Sequence, residues 1–235
     1  VKAEKGATFM ITLYGVYRSR ASRPLWLLAE CGADFTHVPV IQAYRLGDEA
    51  SRDQILNTSS AAFLAVNPQG QIPAMEEDGL ILTESLAITL YLARRHGGDL
   101  GPKDAAADAL MTQWALFAAT AIEGPALEIM MAVQAGGTAG EAAVALNAER
   151  LRRPLRRLNG HLAAHPWLVG DRFTVADINT AECLRYAQGH PTLLAEFPAV
   201  NDWLARCQSR PAFKKMWGEK TVIGDVTQAA YLGPW

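Results

Sequence analysis

Asn67-Pro68-Gln69-Gly70-Gln71-Ile72-Pro73-Ala74-Met75, followed closely by Asp78-Gly79 and Glu84-Ser85, decides how the rest of the chain is read. A turn-rich loop leads to a proline at the head of a short apolar run. Asp78-Gly79 is a tight-hairpin signal, with Leu80-Ile81-Leu82-Thr83 as the partner strand. Glu84-Ser85 then opens a helix carrying Leu86, Ile88, Leu90, Tyr91 and Leu92. Pro73 has no amide hydrogen and is a candidate for a cis bond, a feature concentrated at tight turns. Such a bond would aim the main-chain groups of Ile72 outward, where an extended peptide could pair with them as an added strand. Ser85 stands where a helix N-cap is expected, and the amides behind it favour a carboxylate. Strand-like pairing beside an anion cradle suits a small acidic peptide. The alternative on these residues alone is an ordinary loop, hairpin and capped helix.

The chain has 235 residues, half of them hydrophobic, enough for one large domain or two small ones. A net charge of −2 offers no global attraction for nucleic acid. No apolar run is read here as the roughly 20 residues a membrane span needs, and Val1 to Thr8 shows no secretory pattern. Cys31, Cys183 and Cys207 form no CxxC pair and point to a reducing compartment. His161 and His165 are four apart, without an acidic residue between them, so no metal site is expected.

Working backwards, Phe9-Met10-Ile11-Thr12-Leu13-Tyr14 reads as a buried strand ended by Gly15, and Pro24 to Glu30 as a helix capped by Gly32. Phe35 to Val40 is a second strand whose Pro39 marks a sheet edge. Strand, helix and strand make a right-handed βαβ unit. A short helical piece is expected near Arg52 to Leu56, before the hairpin and helix already described. His96-Gly97-Gly98-Asp99-Leu100-Gly101-Pro102 is the linker candidate, separating domains over 9–96 and 103–235. Beyond it the pattern is helical throughout. Ala105 to Ala135 carries Leu110, Trp114, Phe117 and Ala121 at helical spacing, with Gly124-Pro125 expected to kink or divide it. Thr138 with Glu141 is read as one capping box, Thr174 with Asp177 as another, and Phe173 with Ile178 as a hydrophobic staple. The arginines from Arg150 to Arg157 read as a solvated face paired with nearby acids.

Together these pieces resemble the soluble, cytosolic glutathione S-transferase superfamily, in its bacterial, theta-like, serine-type form. The matching segments are Leu13-Tyr14 with the loop to Ser19, Asn67-Pro68-x-Gly70-x-Ile72-Pro73, Glu84-Ser85, and Gly170-Asp171-x-Phe173-Thr174-x-Ala176-Asp177. The resemblance implies an α/β thioredoxin-like N-terminal domain plus an all-α C-terminal helical domain. It further implies a cytoplasmic homodimer with glutathione as co-substrate and no metal, acting on a hydrophobic electrophile. Nucleic acid and membrane are not expected partners. Ile72 would pair its backbone with the cysteinyl part of glutathione ahead of a cis Pro73, and Glu84 and Ser85 would hold the γ-glutamyl end. Gln71 stands where many relatives carry a lysine for the glycyl carboxylate, and Arg45 or Arg20 would have to supply that charge.

Conjugation needs the thiolate, and a free thiol has a pKa of about 8.5. A hydroxyl hydrogen bond and the positive end of a helix both stabilise the anion. Ser19 occupies the place of the serine in theta-like relatives, and Ser19-x-x-Ser22-Arg23 fits that group. Tyr14 aligns with the tyrosine of alpha-, mu- and pi-like relatives and is otherwise a packing residue. Arg20 stands where beta-like relatives carry cysteine, while Arg18, Arg20 and Arg23 add positive potential. Ser22, Arg20 or no dedicated group complete the alternatives. Trp114, Phe117, Met130 and Met131 are candidates for an apolar second-substrate wall, or else core, and Tyr231 and Trp235 for a covering tail. Peroxide reduction, dehalogenation or isomerisation at the same site remain open, as does a non-catalytic binding protein on the same fold.

Overall fold

A computed structural model describes residues 10–46 and 53–219. The expectations for Val1 to Thr8, for Phe9, for Arg52 and for Tyr231 and Trp235 lie outside the described residues. The chain divides into two compact units, one comprising 10–88 with 215–219 among the described residues, the other Thr89–Lys214.

In the first unit β1 (Ile11–Tyr14) leads through a turn to α1 (Ser22–Cys31) and β2 (Phe35–Val38). A 3-10 turn at Ala43–Arg45 and a short α2 (Ala61–Leu64) precede β3 (Ala74–Glu77), β4 (Leu80–Thr83) and α3 (Ser85–His96). The strand order is β2-β1-β3-β4. β1 and β2 run parallel, as a βαβ crossover requires, whereas β3 is antiparallel to both β1 and β4. This is the small mixed sheet of a thioredoxin-like domain, with β2 at an edge as Pro39 suggested. In β1, fully buried Ile11 and Leu13 alternate with half-buried Thr12 and Tyr14, the period of two that a two-sided sheet imposes. Asp78 and Gly79 both take positive φ, 52° and 81°, which is the turn geometry that matches strand twist in a two-residue hairpin. Trp26, Leu27 and Leu28 of α1 join Ile11, Leu13, Met75 and Ile88 among the fully buried side chains.

Among its described residues the second unit contains helices and no strand. α4 (Ala105–Phe117) runs into a π-helical turn at Ala118–Glu123 and then α5 (Gly124–Ala135), with Pro125 in the first turn of α5. Gly124-Pro125 thus divides the stretch as expected. Pro125 has no N–H for an i−4 carbonyl, and the wider π turn takes up the mismatch. By length and composition Ala105–Ala135 is apolar enough to cross a membrane, which the reading above had discounted. Its buried face, with Met111, Trp114, Ala118, Ile122 and Ile129, belongs to the core of this unit. α6 (Gly137–Ala164) buries Leu151, Leu155, Leu158 and Leu162, a stripe at helical spacing. The capping box expected at Thr138 and Glu141 does not form. The N-cap is Gly136, so Thr138 already lies inside the first turn and no side chain caps this helix.

α7 (Val175–Leu184), α8 (Pro198–Ser209) and α9 (Pro211–Glu219) complete the described chain. The Thr174–Asp177 capping box is present. Asp177 is fully buried and accepts from Leu168 N–H (3.1 Å), Trp203 Nε1 (2.9 Å), Thr174 N–H (2.9 Å) and Thr174 Oγ1 (3.2 Å). One carboxylate therefore ties the loop before α7, the first turn of α7 and α8 together.

Candidate glutathione site

The loop that opens the chain's reading is held by Asn67, which is 3% exposed. Its Oδ1 accepts from Gln69 N–H (3.1 Å) and its Nδ2 donates to the Gln71 carbonyl (2.7 Å). Gly70 has φ +62°, and a Cβ there would lie 2.8 Å from the Thr58 carbonyl oxygen, so the close approach itself requires glycine. The loop delivers Ile72, whose bond to Pro73 is cis. No hydrogen bond among the described residues takes up the Ile72 N–H or C=O. Gln71 is exposed.

Gly15, at the end of β1, links this edge to α1. A Cβ there would meet Ala21 Cβ at 2.7 Å, Ile72 Cβ at 3.5 Å and Pro73 Cα at 3.7 Å. The N-terminal turn of α1 therefore lies against Ile72-Pro73. In that turn Ser19 is half-buried, donates its hydroxyl to the Val16 carbonyl (2.7 Å) and accepts from Ala21 N–H (3.0 Å). Ser19 thus sits at the positive end of a ten-residue helix.

Tyr14 is placed differently. Its ring packs 6.2 Å from that of Phe63, beside the buried cluster of Val40, Phe63 and Ala74. Its hydroxyl makes a long contact, 3.5 Å, with Glu76 Oε2, diagonally across β1 and β3. Burial raises the Tyr14 pKa, and the Glu76 charge and hydrogen bond raise it further. These are the surroundings of a packing residue with a protonated phenol. Of the neighbouring cations, Arg20 is exposed, Arg18 is half-buried and Arg45 is 5% exposed.

At the start of α3 the structure corrects the sequence reading. Ile88 N–H donates to the Glu84 carbonyl (2.9 Å), so Glu84 is the N-cap and Ser85 the first helical residue. Glu84 is exposed with φ +66°, a left-handed conformation that costs a non-glycine residue about 1–3 kcal/mol and gathers at ligand sites. The Ser85 and Ala87 amides precede the first intrahelical bond and have no acceptor within the helix. Ser85 does not use its hydroxyl as a cap. Arg23 Nη1, from the second residue of α1, donates to Ser85 Oγ at 2.8 Å, and both side chains are buried. A partner 62 residues away has no local signal in the sequence, and the reading above gave Arg23 only a general electrostatic part.

The chain is similar to known proteins over most of its length. The family described as Glutathione S-transferase, N-terminal domain, matches residues 17–95, and Glutathione S-transferase, C-terminal domain, matches residues 107–211. A glutathione S-transferase of Hyoscyamus muticus is 33% identical over 203 residues, covering 82% of this chain and 90% of its own. The chain belongs to the glutathione S-transferase family. Glutathione transferase F7 from Populus trichocarpa superposes with a TM-score of 0.74 at 30% identity, over 89% of this chain and 99% of that one. The theta class enzyme of the citrus canker pathogen Xanthomonas axonopodis pv. citri, solved with glutathione bound, gives 0.73 at 28% identity, over 87% and 95%.

In the second unit, Trp114 and Phe117 meet edge to face, their ring centroids 5.4 Å apart. The Arg157 guanidinium lies 5.3 Å from the Trp114 centroid and 4.5 Å from that of Phe117, and the His161 ring is 5.0 Å from Trp114. Trp114, Arg157, His161 and Trp167 line a groove of about 700 Å³ within this unit. The candidate apolar wall therefore carries one cation, the Arg157 guanidinium, over both rings. Met130 is half-buried and Met131 exposed. The His161 and His165 ring centroids lie 4.7 Å apart with the planes tilted by 32°, and His161 Nε2 pairs with the Trp167 carbonyl (3.1 Å).

Proposed function

We propose that the first unit binds reduced glutathione along the Ile72-Pro73 edge and that Ser19 stabilises its thiolate for attack on a hydrophobic electrophile. Family membership supports the transferase activity, and one observation carries the atomic reading: the Gly15 approach that sets the Ser19 turn beside Ile72. The cysteinyl N–H and C=O of the tripeptide pair with the Ile72 main chain as an added strand would. The γ-glutamyl carboxylate lies at the start of α3, at the Ser85 and Ala87 amides. Glu84 takes the γ-glutamyl ammonium. The exposed amide of Gln71 faces the glycyl end as a neutral donor.

On binding, the Ser19 hydroxyl exchanges the Val16 carbonyl for the sulfur and donates a hydrogen bond to it, keeping its own proton. The thiol proton leaves to solvent. The sulfur lone pair forms the new C–S bond, and the leaving group departs from the electrophile with its bonding electrons. A hydrogen bond to a charged partner contributes about 1.5–3 kcal/mol, equivalent to one or two units of thiol pKa. A homodimer is the assembly proposed, and a cytoplasmic setting is proposed with it, as the resemblance implies.

Ser19→Ala is the direct test, read by the ultraviolet absorbance of bound thiolate and by turnover of an activated dinitrohalobenzene. The variant is expected to raise the bound thiol pKa by one to two units and to lower turnover at pH 7 by about ten- to a hundredfold. An unchanged thiol pKa removes Ser19 from the role. Absence of glutathione binding to the folded wild type, by calorimetry, removes the whole reading.

A further inference from the structure

We propose that Arg23 is a positioning residue that makes the Ser85 hydroxyl an obligate donor toward the γ-glutamyl carboxylate. The inference rests on the glutathione reading above. A serine hydroxyl has one proton to give and two lone pairs to receive with. Arg23 is 1% exposed and donates Nη1 to Ser85 Oγ at 2.8 Å. A guanidinium has five N–H donors and no acceptor, so the Ser85 proton cannot turn back toward Arg23. That proton must seek an acceptor elsewhere, at the same helix start where the Ser85 and Ala87 amides have no acceptor within the helix. A charged donor also polarises the hydroxyl, which strengthens its own donation in a poorly hydrated site. An anion is the ligand such a group selects.

The arrangement gives α1 two separate duties. Ser19, ahead of its first turn, serves the thiol, and Arg23, four residues on, serves the opposite end of the tripeptide through Ser85. It also explains why Ser85 is buried to 4% exposure without capping its own helix. Arg23 acts on affinity for one carboxylate and leaves the thiolate chemistry to Ser19.

The test compares glutathione with 4-aminobutyryl-cysteinylglycine, the same tripeptide without the γ-glutamyl α-carboxylate. Wild type is expected to prefer glutathione. Arg23→Met is expected to reduce that preference about tenfold or more, with KM for glutathione raised and kcat and bound thiol pKa unchanged. Ser85→Ala is expected to give a similar loss, the double variant to add little beyond either, and Arg23→Lys to restore part of it. A second measurement needs no variant that must fold under stress. The guanidinium 15N resonances of Arg23 in wild type, assigned with Arg23→Lys, are expected to move when glutathione is added and to stay when the analogue is added. Full preference in folded Arg23→Met, a strictly additive double variant, or unmoved 15N resonances would overturn the positioning role and leave the site reading intact. A wild type that binds glutathione but does not discriminate against the analogue overturns both the carboxylate placement and this inference.

Discussion

Tyr14 and Ser19 are five residues apart, and the sequence offered both hydroxyls for one task. Their surroundings separate them. The Tyr14 ring lies against Phe63, its hydroxyl faces Glu76, and burial followed by that charge keeps the phenol protonated. A donor turned toward a carboxylate is poorly placed to hold a second anion. Tyr14→Phe is therefore expected to leave the bound thiol pKa in place and turnover within about twofold, because it removes only a 3.5 Å contact. Loss of thiolate absorbance in that variant, with Ser19→Ala active, would exchange the two roles. Residues with local partners were legible: Gly70, Asp78 and Gly79 carry their conformations in their own chemistry. Ser85 was misread by one position, because Glu84 adopts φ +66° and takes the capping place that glutamate seldom fills. Arg23 was legible only as a charge, since its bond to Ser85 depends on how α1 and α3 meet within the sheet domain.

Among the elements, the start of α7 shows most clearly how a local pattern becomes tertiary structure. Thr174 and Asp177 announce a capping box in sequence, and the box forms. The sequence does not announce that Asp177 also receives Trp203 and the Leu168 amide. The same kind of pattern failed at Thr138, where the helix begins at Gly137 and leaves the threonine no free end to cap. Burial of Asp177 raises its pKa to about 6, against the pull of its four hydrogen bonds, led by that of Trp203. The native state therefore holds a proton here between about pH 4 and pH 6 that the unfolded chain has released. Stability from this group is fully present below the unfolded pKa and is lost as pH rises through the folded one. Asp177→Asn cannot titrate and cannot accept from Thr174 N–H through its amide nitrogen. The expected result is a variant less stable than wild type at both pH values, with the gap wider at pH 4 than at pH 7 by up to about 3 kcal/mol. Urea unfolding of the two proteins at each pH measures the gap, and a gap that narrows toward pH 4 would mean that Asp177 is held ionised in the fold.

On the scale of the whole molecule, α3 and α9 are the elements through which the division between the units passes, after Ile88 and after Lys214. Ser85 and Ile88 lie on the side of the sheet domain and Thr89 on that of the helical unit, where its hydroxyl donates to Asn179 Oδ1 at 2.6 Å. The sequence placed the linker at His96 to Pro102, which lies between the two family matches, 17–95 and 107–211, whereas the compact units part between Ile88 and Thr89. The linker glycines lie inside the second unit, with the Asp99 and Gly101 carbonyls accepting from Arg172. A boundary inside a hydrogen-bonded helix means that neither unit can unfold without fraying the first turns or the last turns of α3. Helix formation is cooperative, so the damage spreads along it. Global unfolding is therefore expected to be one transition, and a ligand of the first unit is expected to protect both. At a free glutathione concentration of 100 Kd, stability rises by about 2.7 kcal/mol, or roughly a hundredfold in the opening equilibrium. Hydrogen exchange read by mass spectrometry under mild urea is expected to slow by that same factor in β1 and in α7. Slowing confined to β1 and its neighbours would show that the units open independently, with α3 severed at Thr89.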